Sequence, residues 1–153
     1  MNIEQRLSSL GIELESISKP MGNYIPAVAA HGLVFCAGAS CTINGEIQYR
    51  GIIGADLTPE DGYHAARLAA ISSLAKLKYA IGDLDRIDRI VKVVAHMRTT
   101  ADFVDHASVT NGASDLFVEV FGDAGAHARL SLGCATLPVN LPLEIEVVAS
   151  LKH

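Results

Sequence analysis

The sequence contains no tryptophan, and only four tyrosines and four phenylalanines occur in its 153 residues. So few aromatics offer no row of platforms on which the bases of a single strand would stack. A basic stripe is missing too. Twelve Lys and Arg face seventeen Asp and Glu, a formal charge of −5, whereas phosphate backbones are bound by clustered cations. Nucleic acid is therefore not an expected partner. No apolar run approaches the roughly 18 residues of a membrane span, so no membrane partner is expected either. The opening residues MNIEQRLSSL lack a basic stretch followed by an apolar one, so no secretory signal is read and a cytoplasmic location is expected. Cys36, Cys41 and Cys134 are odd in number and lack C-x-x-C spacing, and no H-x-x-x-H pair occurs. Reduced thiols and no metal are the expectation. Neither a phosphate-binding loop nor a G-x-S-x-G nucleophile elbow is present.

What the chain has instead is aliphatic mass. Half of its residues are apolar and 19% are charged, the balance of a globular protein with a packed core. No repeat, low-complexity tract or linker divides it, and residues 1–153 read as a single domain. Ile3, Leu7 and Leu10 at helical spacing predict a short helix over residues 2–11, ending at Gly11. Pro20, Gly22, Asn23 and Pro26 make the following stretch irregular or extended. The runs AVAA and LVFCAGA flank His31-Gly32 and read as a β-hairpin. A second turn, Asn44-Gly45, leads into EIQYRGIIG, read as a strand interrupted by Gly51 and Gly54.

The long central helix is the best-marked element. Thr58 suits the N-cap, Pro59 the first helical position, and Asp61 completes a capping box. Tyr63, Ala66, Ala70, Leu74, Leu77 and Ile81 then form one apolar stripe, and Gly82 ends it. IDRIVKVVAHMR reads as a strand with Val91, Val93, Ala95 and Met97 on one face. A second helix over residues 106–121 has Val109, Leu116, Phe117, Val120 and Phe121 on its apolar side. ARLSLGCAT and PLEIEVVASLK close the chain as strands. This order predicts an α+β layer, one sheet with both helices on one face.

Period-two alternation sorts the last two strands. Leu130, Leu132 and Cys134 point one way; Arg129, Ser131, Gly133 and Ala135 point the other. In the final strand Leu143, Ile145, Val147, Ala149 and Leu151 oppose Glu144, Glu146, Val148, Ser150 and Lys152. With the large apolar sets assigned to the helices, Arg129, Ser131, Glu144 and Glu146 fall together on the second face. That face suits a subunit interface containing a polar pocket. There Arg129 is either one half of an ion pair that sets register, or a planar fork for a ligand carboxylate, with a Glu handling water or protons.

Three stretches, GNYIPAV, LVFCAGA and HARLSLGCATLPVNLPLEIEVVA, resemble the signature of the RidA (YjgF-like) family, and NGASDLFVEVFG before HAR resembles a divergent branch of it. The match spans about residues 20–150. The resemblance implies a chorismate-mutase-like (YjgF-like) fold, a single mixed sheet with two helices on one face, assembled as a homotrimer with sites in the clefts between subunits. It implies hydrolytic deamination of reactive enamines and imines of the 2-aminoacrylate type to keto acids and ammonia, without metal or cofactor. Carried over, Arg129 would hold the substrate carboxylate, Glu144 would serve the attacking water, and Tyr24 would line the cleft. Gly38, Ser131 and Asn111 would contact the ligand, the loop before Arg129 being one residue longer here. Ala39 stands where active members carry Gln, and Leu130 where a small Ser is usual. Two other readings accompany the deaminase: a non-catalytic protein binding small carboxylates in the same cleft, and an endoribonuclease, which the acidic charge disfavours.

Other side chains have plainer expectations. Asp102, Asp105 and His106 read as capping and loop solvation. His127 reads as a structural residue or a minor anion contact, His96 and Arg98 as interface lining, His31 as a turn residue. Cys36 reads as a small buried hydrophobe.

Overall fold

The computed structural model describes every residue except Lys19, which falls in the stretch expected to be irregular and lies outside the described residues. The first helix, α1 (Ile3–Ser9), is opened by a capping box between Asn2 and Gln5, and it buries Leu7. The expected hairpin is β1 (Ala27–Ala30) and β2 (Leu33–Cys36). Its two-residue turn takes φ of 52° at His31 and 76° at Gly32, the left-handed pair that matches the twist of the flanking strands.

The stretch read as an interrupted strand after Asn44-Gly45 is corrected by the structure. It forms only a small separate hairpin, β3 (Thr42–Ile43) with β4 (Glu46–Ile47). Beyond it Gly51 and Gly54 adopt φ of 113° and 97°, backbone that a continuous strand does not accommodate.

Helix α2 (Pro59–Ile81) begins as expected. Thr58 accepts from the Asp61 backbone N–H, and the Asp61 carboxylate, held below its ordinary pKa by its hydrogen bonds to Thr58, accepts from Thr58 N. Helix α3 (His106–Phe121) lies across it. The two approach so closely that a Cβ on Gly112 would stand 1.9 Å from the Tyr63 carbonyl oxygen, so only glycine fits. Tyr63 Oη donates to Asp115 at 2.7 Å, and Arg67 forks onto Glu119 at 2.7 and 3.2 Å, tying the same crossing at its rim.

The main sheet is completed by β5 (Ile87–Arg98), β6 (Ala128–Cys134) and β7 (Leu143–Leu151), in the order β1-β2-β7-β5-β6. Only β5 and β6 are parallel, joined through α3; the other neighbours are antiparallel, which makes the sheet mixed. Helices α2 and α3 cover one face, burying Val34, Ile90, Val93, Met97, Leu143, Ile145 and Val147 against Leu74, Leu77, Leu116 and Phe117. Val91 is corrected to the exposed side. Register shifts between Ile87 and Arg89 and between Ile90 and Lys92 bring Ile87 and Ile90 inward instead.

The edge strand β6 carries the larger correction. Its register pairs Arg129 with Val93 and Ser131 with Ala95, both buried beneath the helices. Leu130 and Leu132 pair with Val94 and His96 on the open face, where they remain 43% and 40% exposed. The assignment of Leu130 and Leu132 to the core is therefore reversed. Apolar size misleads here because an edge strand beside a polar stretch of helix does not need a greasy inner face.

Candidate functional site

Three residues of β6 face α3, and each meets a polar partner. His106, Thr110 and Ser114 recur every fourth position, so they form one stripe along that helix. Arg129 Nη1 donates to Asn111 Oδ1 at 2.7 Å and to Ser114 Oγ at 3.1 Å. Ser131 Oγ donates to Thr110 Oγ1 at 2.8 Å, and Thr110 passes its own proton to the His106 carbonyl at 3.1 Å. Gly133 stands where a Cβ would be 3.0 Å from His106 Nε2. Among the described residues no carboxylate lies within 4.0 Å of the Arg129 guanidinium. Neutral acceptors fix its direction and leave its charge uncompensated.

Behind it, His127 Nε2 lies 2.9 Å from Ser114 Oγ, and its Nδ1 lies 2.6 Å from the Gly125 carbonyl. Burial, and then the Arg129 charge, hold this imidazole below its ordinary pKa, against the opposing effect of the Gly125 bond. Asp105 occupies the N-cap position of α3 but accepts the Ser108 hydroxyl at 2.6 Å rather than capping a backbone N–H.

Tyr24, Gly38 and Glu144 occupy a different place. They line a cleft of about 820 Å³ between the N-terminal segment, α2 and β7. A side chain at Gly38 would reach 3.6 Å from Glu144 Oε1, so the glycine leaves that carboxylate open to the cleft. Lys76, a residue the sequence reading passed over, donates from Nζ to the Gly38 carbonyl at 2.5 Å and adds a cation to the same wall. Its position one turn beyond Ser72 on α2 was visible, but nothing in its neighbours distinguished it from a solvated lysine. Ala39 is buried and pairs with Ile145 through both backbone groups at 2.8 Å.

The expectation that Arg129, Ser131 and Glu144 share a face is thus overturned. Glu144 pairs with His96 and lies on the open side of β7, while Arg129 lies under α3 on β6, two strands away. Two strand spacings and three residues of rise separate their Cα atoms by roughly 14 Å, with the side chains on opposite faces. The structure gathers Arg129, Asn111 and Ser131 into one group and Tyr24, Gly38 and Glu144 into another. The open sheet face itself exposes Val28 and Phe35 on β1 and β2, and Leu130 and Leu132 on β6 at the other edge. Of the residues expected to line an interface, His96 is half-buried on this face, and the Arg98 guanidinium binds Asn140. Among the described residues no helix is long and apolar enough to cross a membrane, and no three His, Cys, Asp or Glu side chains converge as metal ligands.

A mixed five-stranded sheet with two helices on one face, one polar group at its β6 edge and another beside its central strand β7, defines a class of small α+β proteins rather than a particular chemistry. The chain belongs to the YjgF/chorismate mutase-like family: the model described as "YjgF/chorismate mutase-like, putative endoribonuclease" matches residues 4–151. Protein TCP17 of Trypanosoma cruzi is 33% identical over 159 residues, covering 99% of this chain and 95% of that protein. A "putative endoribonuclease" from Shewanella oneidensis is 33% identical at a TM-score of 0.94, covering 99% of this chain and all of that one. A protein of unknown function from Agrobacterium tumefaciens is 34% identical at a TM-score of 0.90, covering 98% and 92%. E. coli TdcF with bound serine is more distant, 23% identical at a TM-score of 0.62 over 90% and 99% of the two chains, and shares the fold.

Proposed function

We propose that the protein hydrolyses reactive enamines and imines of the 2-aminoacrylate type to keto acids and ammonia, with the substrate carboxylate held by Arg129. The observation that carries this reading is the Arg129 guanidinium, aimed by Asn111 and Ser114 yet matched by no carboxylate among the described residues. A permanent planar cation of this kind suits a bidentate carboxylate, and a lysine would not replace it.

One protomer holds the cation and the Glu144 carboxylate on opposite sheet faces, too far apart for a three-carbon ligand to touch both. The reading therefore includes assembly into a homotrimer, in which Arg129 of one copy closes over the Tyr24, Gly38 and Glu144 cleft of the next. The exposed Val28, Phe35, Leu130 and Leu132 supply apolar surface for that contact. Serine bound to E. coli TdcF agrees with a site sized for a small amino-acid skeleton.

In such a cleft the enamine takes up a proton from solvent at its methylene carbon and becomes the iminium, which is already electrophilic. Glu144 orients a water and takes its proton as oxygen bonds to the imine carbon. Glu144 returns that proton to the amine of the carbinolamine, the C–N bond breaks to release ammonia as the hydroxyl oxygen forms C=O, and the hydroxyl proton passes to Glu144 and on to solvent, leaving the keto acid. Positioning and one proton relay suffice, so no further group is required by the chemistry. Tyr24 and Gly38 bound the ligand, and the tied Ser131 hydroxyl shapes the wall beside Arg129.

The test is release of keto acid and ammonia from enzymatically generated 2-iminopropionate. Acceleration above buffer that is lost in Arg129→Ala supports the reading. Equal rates for the two proteins, or none above buffer, would refute it. Ala39 favours one second reading, a carboxylate-binding protein without turnover, because its buried methyl offers nothing polar to the reacting atoms. Saturable pyruvate binding without hydrolysis would identify that case. RNA cleavage, the activity named on relatives, finds less support in a chain of charge −5 with no basic stripe.

A further inference from the structure

We propose that Ser114 and His127 are positioning residues for Arg129, forming a one-directional hydrogen-bond chain that aims the guanidinium at its anion. This rests on the reading of Arg129 as a carboxylate clamp and goes beyond it by assigning what holds the clamp.

The direction of the chain follows from which atoms can donate. The Gly125 carbonyl only accepts, so His127 Nδ1, 2.6 Å away, carries a hydrogen. In the neutral ring the other nitrogen, Nε2, is then a bare acceptor, and it takes the Ser114 hydroxyl proton across 2.9 Å. That leaves the Ser114 oxygen with only lone pairs toward Arg129, so Nη1 donates to it at 3.1 Å. A serine with its proton free to rotate would present a donor to the guanidinium half-turned away. With the proton committed to His127, Ser114 is a fixed acceptor.

The far end of the chain is rigid. A Cβ on Gly125 would lie 2.1 Å from the Phe117 carbonyl oxygen, so the backbone here is pressed onto α3 and has no freedom to shift. The Phe117 ring meets the His127 ring edge-on at 5.7 Å, fixing the plane of the imidazole. Phe117 is itself fully buried in the core. The orientation of a half-buried arginine at the sheet edge is in this way referred back to the packed interior. Asn111, the second acceptor on Nη1, is exposed and has no such backing.

The experiment measures pyruvate binding by calorimetry on the assembled protein. It compares Ser114→Ala, His127→Ala, the double variant, His127→Gln and Arg129→Ala, with circular dichroism to confirm the fold. Loss of binding in Arg129→Ala, with each single variant weaker by about tenfold and the double no weaker than either, is expected of one chain ending on a charged group. His127→Gln should recover most of the affinity, because its amide oxygen can reach the place of Nε2. If Arg129→Ala loses binding while Ser114→Ala and His127→Ala bind normally, or add to about a hundredfold, the positioning proposal fails and the clamp stands. If the protein binds no pyruvate, or binds it equally well as Arg129→Ala, both fall together. A ligand-free readout separates them further: long-range proton–nitrogen NMR should show His127 with its hydrogen on Nδ1. A hydrogen on Nε2 alone would overturn the chain whatever binds.

Discussion

The two polar groups of the chain are built in opposite ways. Around Arg129 the Nη1 donor and the Asn111, Ser114, His127 and Ser131 side chains are all tied by hydrogen bonds, and the partners come from one helix and the loop behind it. Around Glu144 there is a wide cleft, a glycine and an exposed tyrosine, and among the described residues no ion pair restrains the carboxylate. The first arrangement is preorganised and suits holding a charge in one direction. The second leaves room for a water and a ligand to enter. Under the proposed function, binding would fall to a rigid edge and proton handling to an open cleft, so substitutions on the two sides should affect different quantities.

The largest effect is expected on the open side. Glu144→Gln keeps the size of the side chain but not the base, and should lower kcat by about a thousandfold while KM stays nearly unchanged. Gly112→Ala attacks the rigid side through its foundation. The added methyl meets backbone rather than a flexible side chain, so α3 must move away from α2 at a cost of about 3 kcal/mol, read as a lower urea midpoint. Arg129→Ala should leave stability nearly intact and weaken pyruvate binding by about a hundredfold. A parallel change in kcat and KM for both Arg129→Ala and Glu144→Gln would erase the division of labour.

A smaller effect concerns acidity. The folded state holds His127 below the value of about 6.5 that an unfolded histidine has. The unfolded chain therefore binds more protons in that range. The stability that comes from keeping this ring neutral is present above about pH 6.5 and is lost as the pH falls toward the depressed folded value. His127→Gln should flatten the acid side of a Tm-against-pH curve. The cleft side shows its counterpart in alkali. Burial pushes the Cys36 thiol up to about 12 despite the nearby Lys76 charge, so the native protein should alkylate there far more slowly than after unfolding.

Much of this framework was legible in the sequence because local signals and global packing agree. The Thr58-Pro59-Asp61 start, the Gly82 stop, the His31-Gly32 and Asn44-Gly45 turns and the α3 boundaries all appear where their residues predict. The site residues were legible as types but not as an arrangement. Alternation along β6 separates Leu130 from Arg129 correctly yet cannot say which set meets a helix. That depends on the face α3 presents, and the stripe of His106, Thr110 and Ser114 carried the missing signal. In β5 the bulges that turn Val91 outward come from pairing with a distant strand and leave no local mark. Lys76 was hidden for a similar reason, since only the fold brings it to Gly38.

In the proposed assembly Arg129 and Glu144 act on one ligand from different copies of the chain. Co-refolding equal amounts of Arg129→Ala and Glu144→Gln, each inactive alone, tests it by 2-iminopropionate hydrolysis. Random mixing in a closed ring makes about one quarter of the intersubunit sites intact, so about a quarter of the activity should return. No recovery from well-mixed hybrid assemblies would mean that the two residues do not share an intersubunit site.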